Sequence, residues 1–301
     1  MNMKVDLCGV TLNNPVMTAS GTFGSGAEYA EFVDLNKLGA VVTKGVANVP
    51  WPGNPTPRVA EVYGGMLNAV GLQNPGIDLF VERDIPFLKQ FDTKIMVNVC
   101  GHSTEEYIEV VERLRAQPVD LLEINISCPN VKEGGIAFGQ DPKAVEAITK
   151  EMKKHAAQPV IMKLSPNVTD ITEMARAAEA GGADGLSLIN TITGMKIDIN
   201  RQKFVLANKT GGMSGPAIHP VAVRMVYQTA QAVRLPIVGM GGIMNAEDAI
   251  EMILAGATAV SVGTANFTNP HVTEEIVAGI RDYMERYQVA DIRDLVGAVH
   301  E

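Results

Sequence analysis

The chain has 301 residues, of which 46% are hydrophobic and 20% charged, and its formal net charge is -9. This composition provides ample apolar material for a buried core, whereas the negative charge and the lack of a basic cluster argue against nucleic acid as a partner. No apolar run reaches the roughly 18 residues of a membrane span, and the N-terminus lacks the apolar core of a signal peptide. We therefore expect a cytoplasmic protein with no membrane association.

From about Ala40 onward, short β-branched runs alternate with amphipathic segments of helical length. This alternation is typical of βα units around a parallel sheet. The predicted strands are residues 16–19, 40–44, 95–99, 121–126, 160–164, 184–190, 236–240 and 259–263. Two of the predicted helices begin with clear caps, Ser103 with Glu106 in a capping box and Asp141 followed by Pro142.

Eight strands predict an α/β fold of the (β/α)8 TIM-barrel type, with residues 1–301 as a single domain; an open doubly wound sheet is the alternative. Polar residues near the C-terminal ends of predicted strands favour the barrel, because barrels build their active sites at that end. These residues are Lys44, Asn98, Asn125, Lys163 and Asn190. Three long connections, residues 45–76, 127–140 and 191–219, are expected to form functional loops at the same face.

The three cysteines, Cys8, Cys100 and Cys128, are an odd number at wide spacing. This pattern fits neither a disulfide framework nor a zinc or iron-sulfur site, so we expect reduced thiols and no metal. Cys8 and Cys100 are interpreted as structural. Cys128 lies beyond a strand end, before Pro129, where a thiol could act as nucleophile or general base. At an ordinary pKa of about 8.5, such a base would favour alkaline conditions.

Two glycine-rich stretches, residues 239–243 and 263–264, follow the seventh and eighth predicted strands. In barrels these loops commonly bind phosphate, although such glycines can also serve only to form tight turns. The first stretch lacks the third glycine and the acidic residue of a dinucleotide site. FMN, with one phosphate and a flat ring, is therefore the favoured cofactor.

Lys44 and Lys163 interrupt apolar strands, and no carboxylate is adjacent to either in the sequence. A structural role would require a carboxylate partner for each, so we expect both to face the barrel mouth. One would meet an anionic substrate and the other the electron-rich side of a reduced flavin. Four asparagines add uncharged donors and acceptors that suit carboxylate, imide and carbonyl groups, although any one could cap a turn. They are Asn68, Asn98, Asn125 and Asn190.

With these residues in place, the chain resembles the catalytic subunit of the class 1 dihydroorotate dehydrogenases over essentially its whole length. The motifs that carry the resemblance are residues 19–21, 43–45, 68–74, 125–130, 190–191, 241–242 and 263–264. The resemblance implies a flavoprotein oxidoreductase of pyrimidine (UMP) biosynthesis that converts (S)-dihydroorotate to orotate. In such an enzyme Cys128 removes the C5 proton and the C6 hydride passes to FMN.

The resemblance also implies which residues contact the ligands. Substrate contacts are expected at Lys44, Asn68, Ala69, Val70, Gly71, Leu72, Asn125, Asn190 and Thr191. Flavin contacts are expected at Ser20, Lys44, Gly45, Asn98, Asn125, Lys163, Ile189, Gly215, Gly241, Gly242, Gly263 and Thr264.

The route of the electrons after the flavin is a separate question, because the chain shows neither an NAD fingerprint nor a cysteine cluster. Residues 131–142 resemble the NAD-linked subclass 1B, in which two barrels and two electron-transfer subunits carrying FAD and [2Fe-2S] form a heterotetramer. The fumarate-dependent homodimeric subclass 1A is the alternative. A phosphate-sugar isomerase on the same fold would leave Cys128 without a role, as would a barrel that merely stores flavin.

Overall fold

The structure, a computed structural model, describes residues 1–127 and 136–300. The strands in chain order are β1 Val5–Leu7, β2 Val10–Leu12, β3 Val16–Thr18, β4 Ala40–Val42, β5 Val59–Val62, β6 Gly65–Asn68, β7 Lys94–Val99, β8 Leu121–Asn125, β9 Val160–Lys163, β10 Gly185–Leu188, β11 Ile192–Met195, β12 Ile197–Asp198, β13 Lys203–Phe204, β14 Thr210–Ser214, β15 Ile237–Met240 and β16 Ala259–Val262. Eight of them, β3, β4, β7, β8, β9, β10, β15 and β16, form a closed parallel barrel. The predicted barrel and its eight strands are therefore confirmed, and the open sheet is excluded.

Helices cover the outside of the barrel. They are α1 Ile77–Leu79, α2 Ile85–Leu88, α3 Thr104–Leu114, α4 Ile136–Gly139, α5 Pro142–His155, α6 Ile171–Ala180, α7 His219–Ala232, α8 Ala246–Leu254, α9 Ala265–Thr268 and α10 Val272–Arg286. A π-helical turn, Phe80–Asp84, joins α1 to α2, and short 3-10 turns occupy Tyr29–Glu31, Leu35–Lys37, Pro216–Ile218 and Ile292–Leu295. None of the helices in the described part of the chain is long and apolar enough to cross a membrane.

The predicted helix caps are present, with one difference. The Ser103 side chain accepts the Glu106 N–H at the start of α3, and Asp141 accepts the Lys143 N–H at the start of α5. Glu106 does not return a bond to Ser103 as a capping box requires. Its carboxylate instead accepts the His102 N–H at 2.8 Å, because the backbone donor one residue earlier lies within its reach.

Two of the long connections contain a second, antiparallel sheet that the sequence did not reveal. Its strand order is β11-β14-β6-β5. Residues of β6 and β14 lie at the mouth of the barrel, where Met66, Asn68 and Ser214 line the cavity described below. The strands are short and three of the four contain glycine, so they lack the β-branched pattern by which strands are usually recognised.

The opposite, N-terminal end of the barrel is covered by the β1–β2 hairpin. Cys8 lies in its turn, and its thiol donates to the Asp184 carbonyl just before β10. Burial, followed by the nearby Asp184 and Asp6 carboxylates, raises the pKa of Cys8 to about 12. Cys8 and Cys100 are free cysteines in the described part of the chain, and Cys8 lies at the end of the barrel away from the cavity.

Candidate active site

The C-terminal ends of the barrel strands open into a cleft of about 1190 Å³, part of which is open to solvent. Most residues predicted to contact substrate or cofactor line this one cleft. They are Ser20, Lys44, Gly45, Asn68, Val70, Gly71, Leu72, Asn125, Lys163, Ile189, Asn190, Thr191, Gly241, Gly242, Gly263 and Thr264. The structure thus brings together residues up to 244 positions apart in the sequence, at the end of the barrel where active sites are found.

Three of the remaining predicted residues do not line the cleft. Ala69 is fully buried beside the second sheet, so its side chain does not reach the cleft. Asn98 is also fully buried, one layer beneath the cleft, and Gly215 packs against Gly65 behind the lining residue Ser214. Cys128, the predicted base, lies outside the described residues.

Lys163 is 4% exposed and has the carboxylate partner that the sequence did not show. Its ammonium lies 3.5 Å from Glu123 Oε2 and donates to Ser20 Oγ at 3.0 Å. The expectation that Lys163 faces the barrel mouth is correct, but the reasoning from a missing carboxylate is wrong. Glu123 is on the neighbouring strand β8, 40 residues away in the chain, so adjacency in the sequence could not reveal the pair.

Three of the four predicted asparagines, Asn98, Asn125 and Asn190, belong to a connected set of hydrogen bonds in the floor of the cleft. Asn125 Nδ2 donates to Asn98 Oδ1 at 3.3 Å, and Asn125 Oδ1 accepts the Ser127 hydroxyl at 3.0 Å. Asn190 Nδ2 then donates to Ser127 Oγ at 2.7 Å. A buried Tyr107 fixes the end of β8 from behind by donating to the Asn125 carbonyl at 2.6 Å. These bonds restrict the rotamers of side chains that also face the cleft, so the site is largely formed before any ligand binds.

The two glycine loops line the cleft with backbone atoms. We call this surface the glycine cradle; its residues are Gly241, Gly242, Gly263 and Thr264. At Gly242 a Cβ atom would lie 2.7 Å from the Gly215 carbonyl and 2.9 Å from the His219 nitrogen, so only glycine fits without a shift of the backbone. His219 supports the same turn, because its ring nitrogen Nδ1 lies 2.8 Å from the Gly241 carbonyl. Nearby, the buried Ser261 hydroxyl lines the cleft and has no hydrogen-bond partner among the described residues. A glycine cradle beside an unsatisfied buried hydroxyl fits a polar group such as a phosphate.

Several lining or supporting residues were not identified from the sequence. Glu123, Ser214, Ser261 and His219 are the clearest cases. Glu123 carried a usable signal, since a lone carboxylate within the apolar run 121–126 must find a partner when buried. The other three have ordinary sequence surroundings, and only the fold brings them to the cleft.

Comparison with known proteins gives consistent results. Residues 2–284 match a family model described as dihydroorotate dehydrogenase. A protein of Lachnoclostridium phytofermentans called dihydroorotate dehydrogenase B (NAD(+)), catalytic subunit, is 72% identical over 99% of this chain and 100% of its own length. Proteins of the same name from Alkaliphilus metalliredigens and Geotalea uraniireducens are 64% and 54% identical, each over 99% of this chain and 99% and 98% of their own lengths.

A solved structure shows a similar fold at much lower sequence identity. It is a DHODH of Eimeria tenella in complex with ferulenol, which is 22% identical and superposes with a TM-score of 0.83 over 99% of this chain and 88% of its own. This likeness supports the barrel architecture alone.

Proposed function

This chain belongs to the dihydroorotate dehydrogenase family, and from that premise we propose that it is the catalytic subunit of an NAD-linked enzyme oxidising (S)-dihydroorotate to orotate in pyrimidine biosynthesis. The observation that carries the proposal is that two lysines and three of the predicted asparagines line one preformed cleft. Such a cleft suits a small planar anion with several carbonyl and N–H groups. We place the enzyme in the cytoplasm, since the thiols of Cys8 and Cys100 suit a reducing compartment.

FMN is the proposed cofactor. Gly241, Gly242, Gly263 and Thr264 would hold its phosphate in the glycine cradle, and Lys163 would lie against its ring. Ser20, Lys44, Gly45, Asn125, Ile189 and the supporting residues Asn98 and Gly215 complete the proposed flavin set. The chemistry that FMN supplies is acceptance of a hydride.

The substrate is proposed to bind over the asparagine floor. Asn125 and Asn190 are held in place by their bonds to Ser127, so their remaining donors and acceptors can orient a ring of carboxylate, imide and carbonyl groups. Lys44 supplies a positive charge for the carboxylate. Asn68, Thr191 and residues 69–72 close the proposed substrate set from the side of the second sheet.

Cys128 is proposed as the base that removes the C5 proton. It follows Ser127 directly in the chain, and Ser127 is anchored at the floor of the cleft. The substitution Cys128→Ala should lower turnover with dihydroorotate by at least about 10²-fold, because a general base typically contributes about 10²- to 10⁴-fold to the rate. FMN content should stay unchanged, and Cys8→Ala, at the other end of the barrel, is the matched control. Full turnover in Cys128→Ala would exclude the assignment.

Electrons are proposed to leave through a partner subunit carrying FAD and [2Fe-2S], in a heterotetramer of two barrels and two partners. Exposed apolar side chains support such a contact: Ile197 pairs with Phe204 in β12 and β13, Ile199 follows β12, and Tyr63 lies in the turn between β5 and β6. Lys196 donates to the Glu61 carbonyl and so joins this hairpin to β5. Exposed apolar patches of this kind mark contact surfaces.

The final acceptor can be tested with the reduced protein. Reoxidation by NAD+ only after the FAD and [2Fe-2S] subunit is added would support the NAD-linked assignment. Reoxidation by fumarate without that subunit would instead indicate the homodimeric subclass.

A further inference from the structure

The barrel interior contains a buried carboxylate that none of the proposed ligand contacts includes. Glu123 is 0% exposed and lies on β8, one layer beneath the cleft. Its Oε1 accepts the Ser187 hydroxyl at 2.8 Å, and its Oε2 accepts Asn98 Nδ2 at 2.5 Å and lies 3.5 Å from Lys163 Nζ. Removing a carboxylate from water is unfavourable, and these hydrogen bonds and the nearby ammonium compensate for it.

The contacts of Glu123 connect it to two side chains that line the cleft, directly to Lys163 and through Asn98 to Asn125. On one side, Lys163 lines the cleft and donates to Ser20 Oγ. On the other side, Asn98 accepts the Asn125 amide, and Asn125 lines the cleft. One side chain therefore fixes a cation that lines the cleft and, through Asn98, the amide of Asn125, although Glu123 does not line the cleft itself.

The charge of Glu123 has a second consequence. A cation near the flavin ring favours the reduced form, because reduction adds negative charge to the ring system. The carboxylate 3.5 Å from Lys163 Nζ offsets that cation within a buried region, where solvent screening is weak. The pair presents much less positive charge to the cleft than Lys163 alone would.

We propose that Glu123 is a positioning residue that holds Lys163 and Asn98 beneath the flavin and lowers the flavin's reduction potential by offsetting the charge of Lys163. This inference rests on the proposed binding of FMN. Ser187 lies on the far side of the carboxylate, where its hydroxyl satisfies the oxygen that faces away from Lys163.

The test is the two-electron reduction potential of FMN bound to the full chain, measured by anaerobic titration against a reference dye. In Glu123→Gln the side chain keeps its size and an acceptor oxygen but loses its charge. The preference for reduced over oxidised FMN should rise at least tenfold, which corresponds to a potential about 30 mV more positive. Ser187→Ala, which removes a hydrogen bond to the same carboxylate without changing its charge, is the matched control and should shift the preference less than threefold.

A second variant keeps the proposal testable if Glu123→Gln does not fold. Lys163→Met leaves the carboxylate without its cation, so the potential should move in the opposite, negative direction. An unchanged potential in Glu123→Gln would overturn the inference, and so would an unchanged or more positive potential in Lys163→Met. Failure of the proposed function would be distinguishable, because the unaltered chain would then bind no FMN or would not be reduced by dihydroorotate.

Discussion

Two glycines of the proposed phosphate cradle should respond differently to replacement by alanine. Gly263→Ala should weaken FMN binding without lowering stability, whereas Gly242→Ala should lower stability. At Gly263 a Cβ atom would lie 3.5 Å from Ala19 Cβ and at least 3.8 Å from Thr22, which is ordinary van der Waals contact. The apoprotein of Gly263→Ala should therefore be as stable as the unaltered chain. A bound phosphate, however, would meet the added methyl group. Loss of one charge-assisted hydrogen bond, about 1.5 to 3 kcal/mol, would weaken FMN binding roughly 10- to 150-fold.

Gly242→Ala should instead destabilise the fold itself. Gly242 has φ +68°, and its Cβ would lie 2.7 Å from the Gly215 carbonyl and 2.9 Å from the His219 nitrogen. The left-handed conformation alone is unfavourable for alanine by about 1 to 2 kcal/mol, and the backbone contacts add to this.

The assay for both variants is urea unfolding of the apoprotein together with FMN titration followed by flavin fluorescence. Gly263→Ala should change only the FMN dissociation constant, and Gly242→Ala should also lower the unfolding midpoint. Unaltered FMN affinity in Gly263→Ala would refute the placement of the phosphate.

Three further predictions concern other parts of the molecule. Because its pKa is raised to about 12, Cys8 should remain a thiol at mildly alkaline pH, and iodoacetamide should label it far more slowly than a free cysteine in peptide mapping. His219→Ala should weaken FMN binding about 2- to 10-fold through the lost bond to the Gly241 carbonyl, whereas Glu251→Gln on the exposed side of the same ring should have little effect in the same titration. The hydrogen bonds from Arg293 and Asn2 lower the pKa of Asp291, so its stabilising effect is present above the unfolded pKa of about 4 and is lost as the pH falls through the lower folded value. Asp291→Asn should accordingly lower the urea midpoint near neutral pH, and the difference should shrink below about pH 4; a constant difference would contradict this.

The sequence was sufficient to predict the barrel because its strands are short, largely apolar runs that are mostly buried on both faces in the structure. Val160–Lys163 and Ala259–Val262 are examples, with every residue buried. Lys44, Asn125 and Asn190 could be assigned to the cleft for a related reason, since parallel strands bring their C-terminal ends to one face.

Contacts between distant strands could not be predicted in this way. The Glu123 carboxylate meets Lys163 and Ser187, which are 40 and 64 residues away and become neighbours only when the barrel closes. The second sheet was missed because Thr210–Ser214 and Gly65–Asn68 contain glycines and few β-branched residues, so their pairing depends on the partner strand more than on local preference.

The central claim, that this cleft oxidises dihydroorotate with bound FMN, is tested most directly by anaerobic addition of dihydroorotate to the purified, FMN-loaded chain. We predict that the visible absorbance of the oxidised flavin is bleached by one equivalent of substrate. A flavin that stays oxidised in the presence of excess dihydroorotate would contradict the claim.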